Sequence, residues 1–271
     1  MNNLRNVKLF EFDESKEIIF QALEWLGTNQ SKQELNTDRS SKKKFISVYK
    51  HVIKLYGVTE CGKSVTVNNN NFKPYFFIKV PDKLDNLKKI QIETVLKSHL
   101  DYKDKDSLVS LEFVKRKDFY GFNNNKLFKF IKITFLNSVV MNKCNKIIKE
   151  GIKVTSIDPK NEIKFKLYES NITPFIRFIH TKELNAAGWI RIPPYSYTIN
   201  KGEDKTSTCQ IDIDIDFDDI EFYDKNGISP MLIASYDIEC SSSHGDFPLA
   251  KKNYKKLGCE IYDEYKKIRV R

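Results

Sequence analysis

The sequence predicts an α+β protein built on mixed sheets. Three observations carry that expectation: runs rich in β-branched and aromatic residues, stretches between them with helical spacing of apolar residues, and a chain order of strand, helix, strand. With 271 residues, 40% of them hydrophobic and 13% aromatic, there is material for one large domain or two ordinary ones.

From the amino terminus, VKLFEF reads as a strand, whereas EIIFQALEWLG fits either a strand or a short helix ending at Gly27. Residues 28 to 44 are polar and charged and are expected to form a mobile loop. FISVYKHVIKLYGV and FKPYFFIKV read as strands of one sheet, bracketing Gly62 and the run from Asn68 to Asn71. Asp85 is a plausible N-cap for an amphipathic helix carrying Leu87, Ile90, Val95, Leu96 and Leu100.

LVSLEFV at 108–114 and LFKFIKITFL at 127–136 return to strand chemistry. Asn137 then caps a helix whose Val140, Cys144, Ile147 and Ile148 share a face, and Gly151 lets the chain leave it. Thr173 and Pro174 start a short helix, FIRFIHTKEL, the hydroxyl serving as cap and the proline being pre-set for the first turn. After the strand GWIRI and the turn at Pro193 and Pro194 comes CQIDIDIDFDD, in which Ile211, Ile213, Ile215 and Phe217 alternate with Asp212, Asp214, Asp216 and Asp218. That alternation predicts a strand with one wet, acidic face.

MLIASYDIEC, Met231 to Cys240, has a continuous apolar run instead, which predicts a strand covered on both faces. Asp237 and Glu239 interrupt it at i and i+2, a spacing that puts both carboxylates on one side, about 6.5–7 Å apart along the strand. Such a pair can face a divalent cation or two, and oxygen ligands suit Mg²⁺ or Mn²⁺. The same pair can instead close salt bridges to Lys251 or Lys252, and the residues alone leave the two readings open. Spacing by itself decides nothing, since the acids of 212–218 share it.

Lys and Arg exceed Asp and Glu by 46 to 36, a net charge of +10, which fits either a polyanionic partner or ordinary solvated charge. Cys61, Cys144, Cys209, Cys240 and Cys259 are widely spaced, so reduced thiols in a soluble intracellular protein are expected, with no membrane span and no targeting segment. The stretch Gly57 to Ser64 fits the phosphate-loop spacing, yet VTVNNNNF follows it, which reads as a hairpin and not as a helix start. His51, His99, His180 and His244 lack metal-ligand spacing. The basic clusters at Lys42–Lys44, Lys115–Lys117 and Lys251–Lys252 are candidates for binding phosphates. Phe119, Tyr120 and Phe122 beside the second can stack on unpaired bases or belong to the core.

SYDIECSSSHGDFP resembles the first exonuclease motif of family B DNA polymerases of the eukaryotic delta type. LYGVTECGKSV, FKPYFFIKVP, KDFYGFNNNKLFKFIKITF, LYESNITPFIRFIHTKELNAAGWIRI and TCQIDIDIDF resemble, in the same order, stretches of that family's amino-terminal region. The resemblance implies a mixed-sheet amino-terminal domain with OB-like and RNA-recognition-like parts, assigned to 1–228, followed at 229–271 by the first part of a ribonuclease-H-like 3′–5′ exonuclease domain. It implies that Asp237 and Glu239 are catalytic metal ligands, holding two Mg²⁺ or Mn²⁺ ions in the complete site. Gly245, Phe247 and Pro248 fall to packing or loop roles. Pro74, Tyr75 and Phe76 match a position where archaeal relatives build a template-base pocket.

The implied partners are DNA, as template and primer 3′ end, the remainder of the polymerase, and a sliding clamp, with no membrane. The implied setting is the nucleus or a viral replication site in host cytoplasm, the asparagine-rich composition suiting a large DNA virus. The family's further exonuclease motifs and polymerase palm have no counterpart up to Arg271, so the isolated chain is expected to be inactive. The alternative is a non-catalytic nucleic-acid-binding module or a split polymerase subunit.

Overall fold

Extended chain prevails in the first described elements. β1 (Ile18–Asn36) and β2 (Lys44–Thr59) form one long antiparallel hairpin, registered from Phe20 opposite Thr59 to Asn36 opposite Lys44 with a bulge between Ala22 and Glu24. Ile18, Phe20 and Ala22 are buried on one face by the two-residue period of a strand, and the bulge shifts that phase so that Leu26 beyond it is exposed. The loop expected over 28 to 44 is therefore corrected: residues 28–36 continue β1, because ladder hydrogen bonds join backbone groups whatever side chains they carry. Gly27, considered as a helix end, sits mid-strand and leaves room for the His51 ring. A computed structural model of the chain describes residues 14–36, 44–231, 233–237 and 255–269. VKLFEF lies outside them.

β3 (Ser64–Asn70) closes a second hairpin on β2, and the chain then leaves this sheet for about a hundred residues. β4 (Tyr75–Lys79), α1 (Asn86–Ser98), β5 (Leu108–Lys117), β6 (Leu127–Phe135), α2 (Ser138–Glu150) and β7 (Leu167–Tyr168) form a separate four-stranded antiparallel sheet of order β5-β6-β4-β7. This is a split βαβ arrangement, both helices contributing to a core with Phe76, Ile78, Ile131, Ile133 and Phe135. Asp85 caps α1 by accepting from the Lys88 amide, and Asn137 caps α2 by accepting from the Val140 amide. The face expected of α1 is half right: Leu96 and Leu100 are buried, but Leu87 and Ile90 are exposed and Ile92 takes the inner position. α2 buries Val140, Cys144 and Ile148 as expected, and Gly151 ends it at φ +118°.

α3 (Pro174–Thr181) brings the chain back, with Phe178 fully buried among Trp25, Phe72 and Phe217. Thr173 precedes it without a side-chain capping bond, contrary to expectation, so Pro174 carries the start. β8 (Trp189–Ile192), β9 (Tyr197–Ile199), β10 (Ile211–Asp216) and β11 (Glu221–Tyr223) complete a seven-stranded sheet of order β11-β8-β1-β2-β3-β10-β9, mixed because β10 runs parallel to β3.

The wet face expected of β10 holds at Asp216 and, just beyond the strand, at Asp218, both exposed, and is corrected at Asp212. Asp212 is 1% exposed, because residues 200–207 cover it: the Thr206 amide and the Ser207 hydroxyl donate to its carboxylate, as do the side-chain amides of Asn68 and Asn200. A carboxylate so supplied with donors is satisfied without a cation.

The chain forms two compact units, Met1–Met231 and Leu232–Arg271. In the second, α4 (Lys255–Arg269) has Leu257, Ile261, Tyr262 and Tyr265 all exposed. The buried strand expected at Met231–Cys240 is not found in its described part: residues 233–237 lie outside any strand, and Ile233 and Tyr236 are 82% and 84% exposed. An apolar run is buried in a sheet only where neighbouring strands flank it. Residues 232 and 238–254 lie outside the described residues.

Candidate nucleic-acid interface

Period-two side-chain placement gives the four-stranded sheet two unlike faces. Phe76, Ile78, Ile131 and Ile133 point toward the helices, so Tyr75, Phe77, Phe128 and Phe130 must point away, where Tyr168 of β7 joins them. On this second face the rings pack on one another, Tyr75 against Phe77 at 5.5 Å and Phe130 against Tyr168 at 5.1 Å. Cations lie over them: Lys79 is 3.8 Å from the Phe128 centroid, Lys132 4.2 Å from Tyr75, and the Arg177 guanidinium 4.3 Å from Tyr75. A cleft of about 760 Å³ runs along this face, with Tyr75, Phe77, Tyr120, Tyr168 and Arg177 in its walls.

The β5–β6 turn folds over the edge of that face and is pinned by Asp118. Its carboxylate accepts from Lys79 Nζ at 2.7 Å, from the Tyr168 hydroxyl at 3.0 Å and from the Tyr120 amide at 3.0 Å. The Lys79 hydrogen bond foremost, with the Tyr120 amide next, pulls the Asp118 carboxyl down to about 2. Tyr120 thereby meets Tyr168 at 6.0 Å, with Lys166 4.4 Å from the Tyr120 centroid. The sequence singles out Lys115–Lys117, Phe119, Tyr120, Phe122 and Tyr75 in this region. Its reading misses Phe77, Phe128, Phe130, Tyr168, Lys166 and Arg177, although aromatics at 75 and 77 and at 128 and 130 mark a second apolar face by their spacing.

Of the expected metal pair, Asp237 is exposed on chain without regular structure and Glu239 lies outside the described residues, as do Gly245, Phe247, Pro248, His244, Lys251 and Lys252. Among the described residues no group of three or more His, Cys, Asp or Glu is placed to hold a metal ion. The phosphate-loop spacing has another cause: Gly57 lies in β2 beneath Phe20, and Gly62 turns the β2–β3 hairpin at φ +80°. Ser64 opens the strand β3 and not a helix. Cys61, Cys144, Cys209 and Cys259 are free, and burial pushes the Cys144 thiol up to about 12, which keeps it unreactive. Among the described residues no helix is long and apolar enough to cross a membrane.

Residues 71–142 match the DNA polymerase delta catalytic subunit-like N-terminal domain, and residues 165–264 match the exonuclease domain of DNA polymerase family B. The chain belongs to the family B DNA polymerases. The DNA polymerase of Pyramimonas orientalis virus is 36% identical over 255 residues, covering 93% of this chain and 20% of that protein. The DNA polymerase delta catalytic subunit of Dictyostelium discoideum is 33% identical over 210 residues, covering 74% of this chain and 19% of that one. The chain thus spans about a fifth of the length of the curated relatives it matches. The solved family B DNA polymerase of Pyrobaculum calidifontis covers 78% of this chain and 21% of its own length at TM-score 0.48 and 16% identity, too slight a likeness to carry an argument. The described family B fold is the mixed α+β architecture expected from the sequence.

Proposed function

We propose that this chain is the amino-terminal part of a replicative DNA-directed DNA polymerase with a 3′–5′ proofreading exonuclease. The observation that carries the reading is the motif Ser235–Cys240, with its two carboxylates, lying inside the match to the family B exonuclease domain. On this reading 1–228 is the amino-terminal domain and 229–271 opens the exonuclease domain.

Asp237 and Glu239 are the metal ligands of the proposed site. Carboxylate oxygens suit Mg²⁺ or Mn²⁺, and Asp237 is open to solvent, so an ion has access to it. Such ions supply electrostatic stabilisation of the attacking and leaving oxygens in phosphodiester cleavage. The substrates are DNA template and primer 3′ end, the partners are the remainder of the polymerase and a sliding clamp, and the setting is a cellular or viral site of DNA replication.

The test is made in the polymerase encoded by the whole reading frame. D237A and E239A are expected to lower Mg²⁺-dependent release of the terminal nucleotide from a mispaired primer by about 100-fold or more, with primer extension retained. Undiminished release by either variant overturns the assignment.

A further inference from the structure

The aromatic face of the four-stranded sheet is closed to a stacking ligand over most of its area: Phe77, Phe130 and Tyr168 are only 9%, 2% and 9% exposed. Tyr75 and Phe128 on that face are partly exposed, and the most exposed rings beside it sit on the β5–β6 turn, where Phe119 is 90% and Phe122 94% exposed. Two phenyl rings in water contribute nothing to the core, and neither packs in the apolar clusters of the sheet. From Lys115 to Lys132 the sequence holds six basic residues and one acid, and that acid, Asp118, is bound to Lys79. The turn therefore presents bare rings within a field of one sign.

The turn is also built to hold its shape. Gly121, Asn124 and Asn125 adopt positive φ, Asn123 donates to the Tyr120 and Gly121 carbonyls, and Lys117 Nζ donates to Asn125 Oδ1. A pre-shaped loop loses little freedom when a ligand settles on it.

We propose that this turn is a spur that binds single-stranded DNA. Phe119 and Phe122 stack on unpaired bases, Lys115, Arg116, Lys117 and Lys126 hold the phosphates, and Asp118 is the positioning residue that fixes the spur to the sheet. Positive charge selects a polyanion, and exposed rings select one whose bases are unpaired, so duplex DNA and acidic protein surfaces fit less well. The choice of DNA over RNA rests on the polymerase reading, whereas the spur itself does not depend on Asp237 or Glu239.

The experiment measures fluorescence anisotropy of a labelled oligothymidylate of about 12 nucleotides with the whole 271-residue chain at about 50 mM salt. The double variant F119A/F122A is expected to weaken binding by about tenfold or more without changing the slope of log affinity against log salt. K115A/K117A is expected to flatten that slope by roughly 0.7 for each phosphate that is no longer neutralised. F119W/F122W is expected to retain affinity, and D118N to weaken it with both rings present.

Melting curves verify that each variant folds, which exposure favours at Lys115, Lys117, Phe119 and Phe122, whereas the Asp118 side chain is enclosed. No binding by the parent chain, or F119A/F122A within about twofold of it, overturns the spur. Equal affinity for duplex overturns the single-strand assignment, and equal or tighter binding of oligouridylate overturns the choice of DNA. Failure of the exonuclease variants D237A and E239A leaves these outcomes unaffected, so the two proposals fail separately.

Discussion

His51 lies on β2 with its ring against Gly27 of β1, 2% exposed, its Nδ1 3.1 Å from Asn29 Oδ1 and its Nε2 buried without a hydrogen-bond partner among the described residues. Desolvation drives its pKa down from 6.5 to about 4. The folded chain thus keeps His51 neutral where the unfolded chain takes up a proton. Its contribution is fully present above pH 6.5, declines as pH falls through the window from 6.5 to 4, and is exhausted below about 4. Within that window unfolding free energy is expected to fall by up to about 1.4 kcal/mol per pH unit from this group, measured by urea titration. H51Q should remove that component of the slope, and an unchanged slope in H51Q would show that other groups carry it. Asn137 is another buried polar residue with several roles: it accepts from the Val140 amide and donates to the Tyr49 carbonyl and the Ser107 hydroxyl. N137A is expected to cost about 1–2 kcal/mol by denaturant melting, more than D85A at the solvent-exposed cap of α1.

At the scale of elements, the sequence is most legible where a cap and a period agree. Asn137 before Val140, Cys144 and Ile148 locates α2. In α1 the apolar residues are spread around the helix, so spacing does not separate exposed Leu87 and Ile90 from buried Ile92. Residues 28–36 are illegible because strand pairing with β2 is a backbone property that polar side chains do not announce. Asp212 is misread because only the tertiary fold brings residues 200–207 over it. The candidate site is legible in part: the carboxylate pair and the aromatic turn stand out in sequence, but the Asp118 anchor joins β4, the β5–β6 turn and β7, which are far apart along the chain. Gly57 shows how a motif can mislead. A Cβ there would collide with the Gln21 carbonyl and the Phe20 ring, beside the bulge that shifts the β1–β2 register. G57A is therefore expected to destabilise by about 1–3 kcal/mol through overpacking, read as a lowered melting temperature. Wild-type stability in G57A would mean that the hairpin can move apart and that Gly57 is kept for another reason.

For the whole molecule, the question is which residues the folded core needs. The members of the three apolar clusters all lie between Ile18 and Ile220: one cluster joins α1 and α2 to the four-stranded sheet, one joins α3 to the seven-stranded sheet, and one lies on the aromatic face. The last stretch before residue 232 is tied in locally, by the Trp189 indole donating to the Gly227 carbonyl and the Ser229 amide donating to Gln21 Oε1. Beyond it, residues 233–237 are exposed, and so are the described side chains of α4, a 15-residue helix. A 15-residue helix is marginal in water on its own, so its intrinsic stability adds little. A chain ending at Met231 is accordingly expected to melt within about 4 °C of the full 271 residues, since a loss near 1 kcal/mol moves the midpoint of a protein this large by only about 2–4 °C. Differential scanning calorimetry of the two chains makes the comparison directly. A drop of more than about 5 °C on truncation would mean that residues 232–271 carry burial the clusters do not account for.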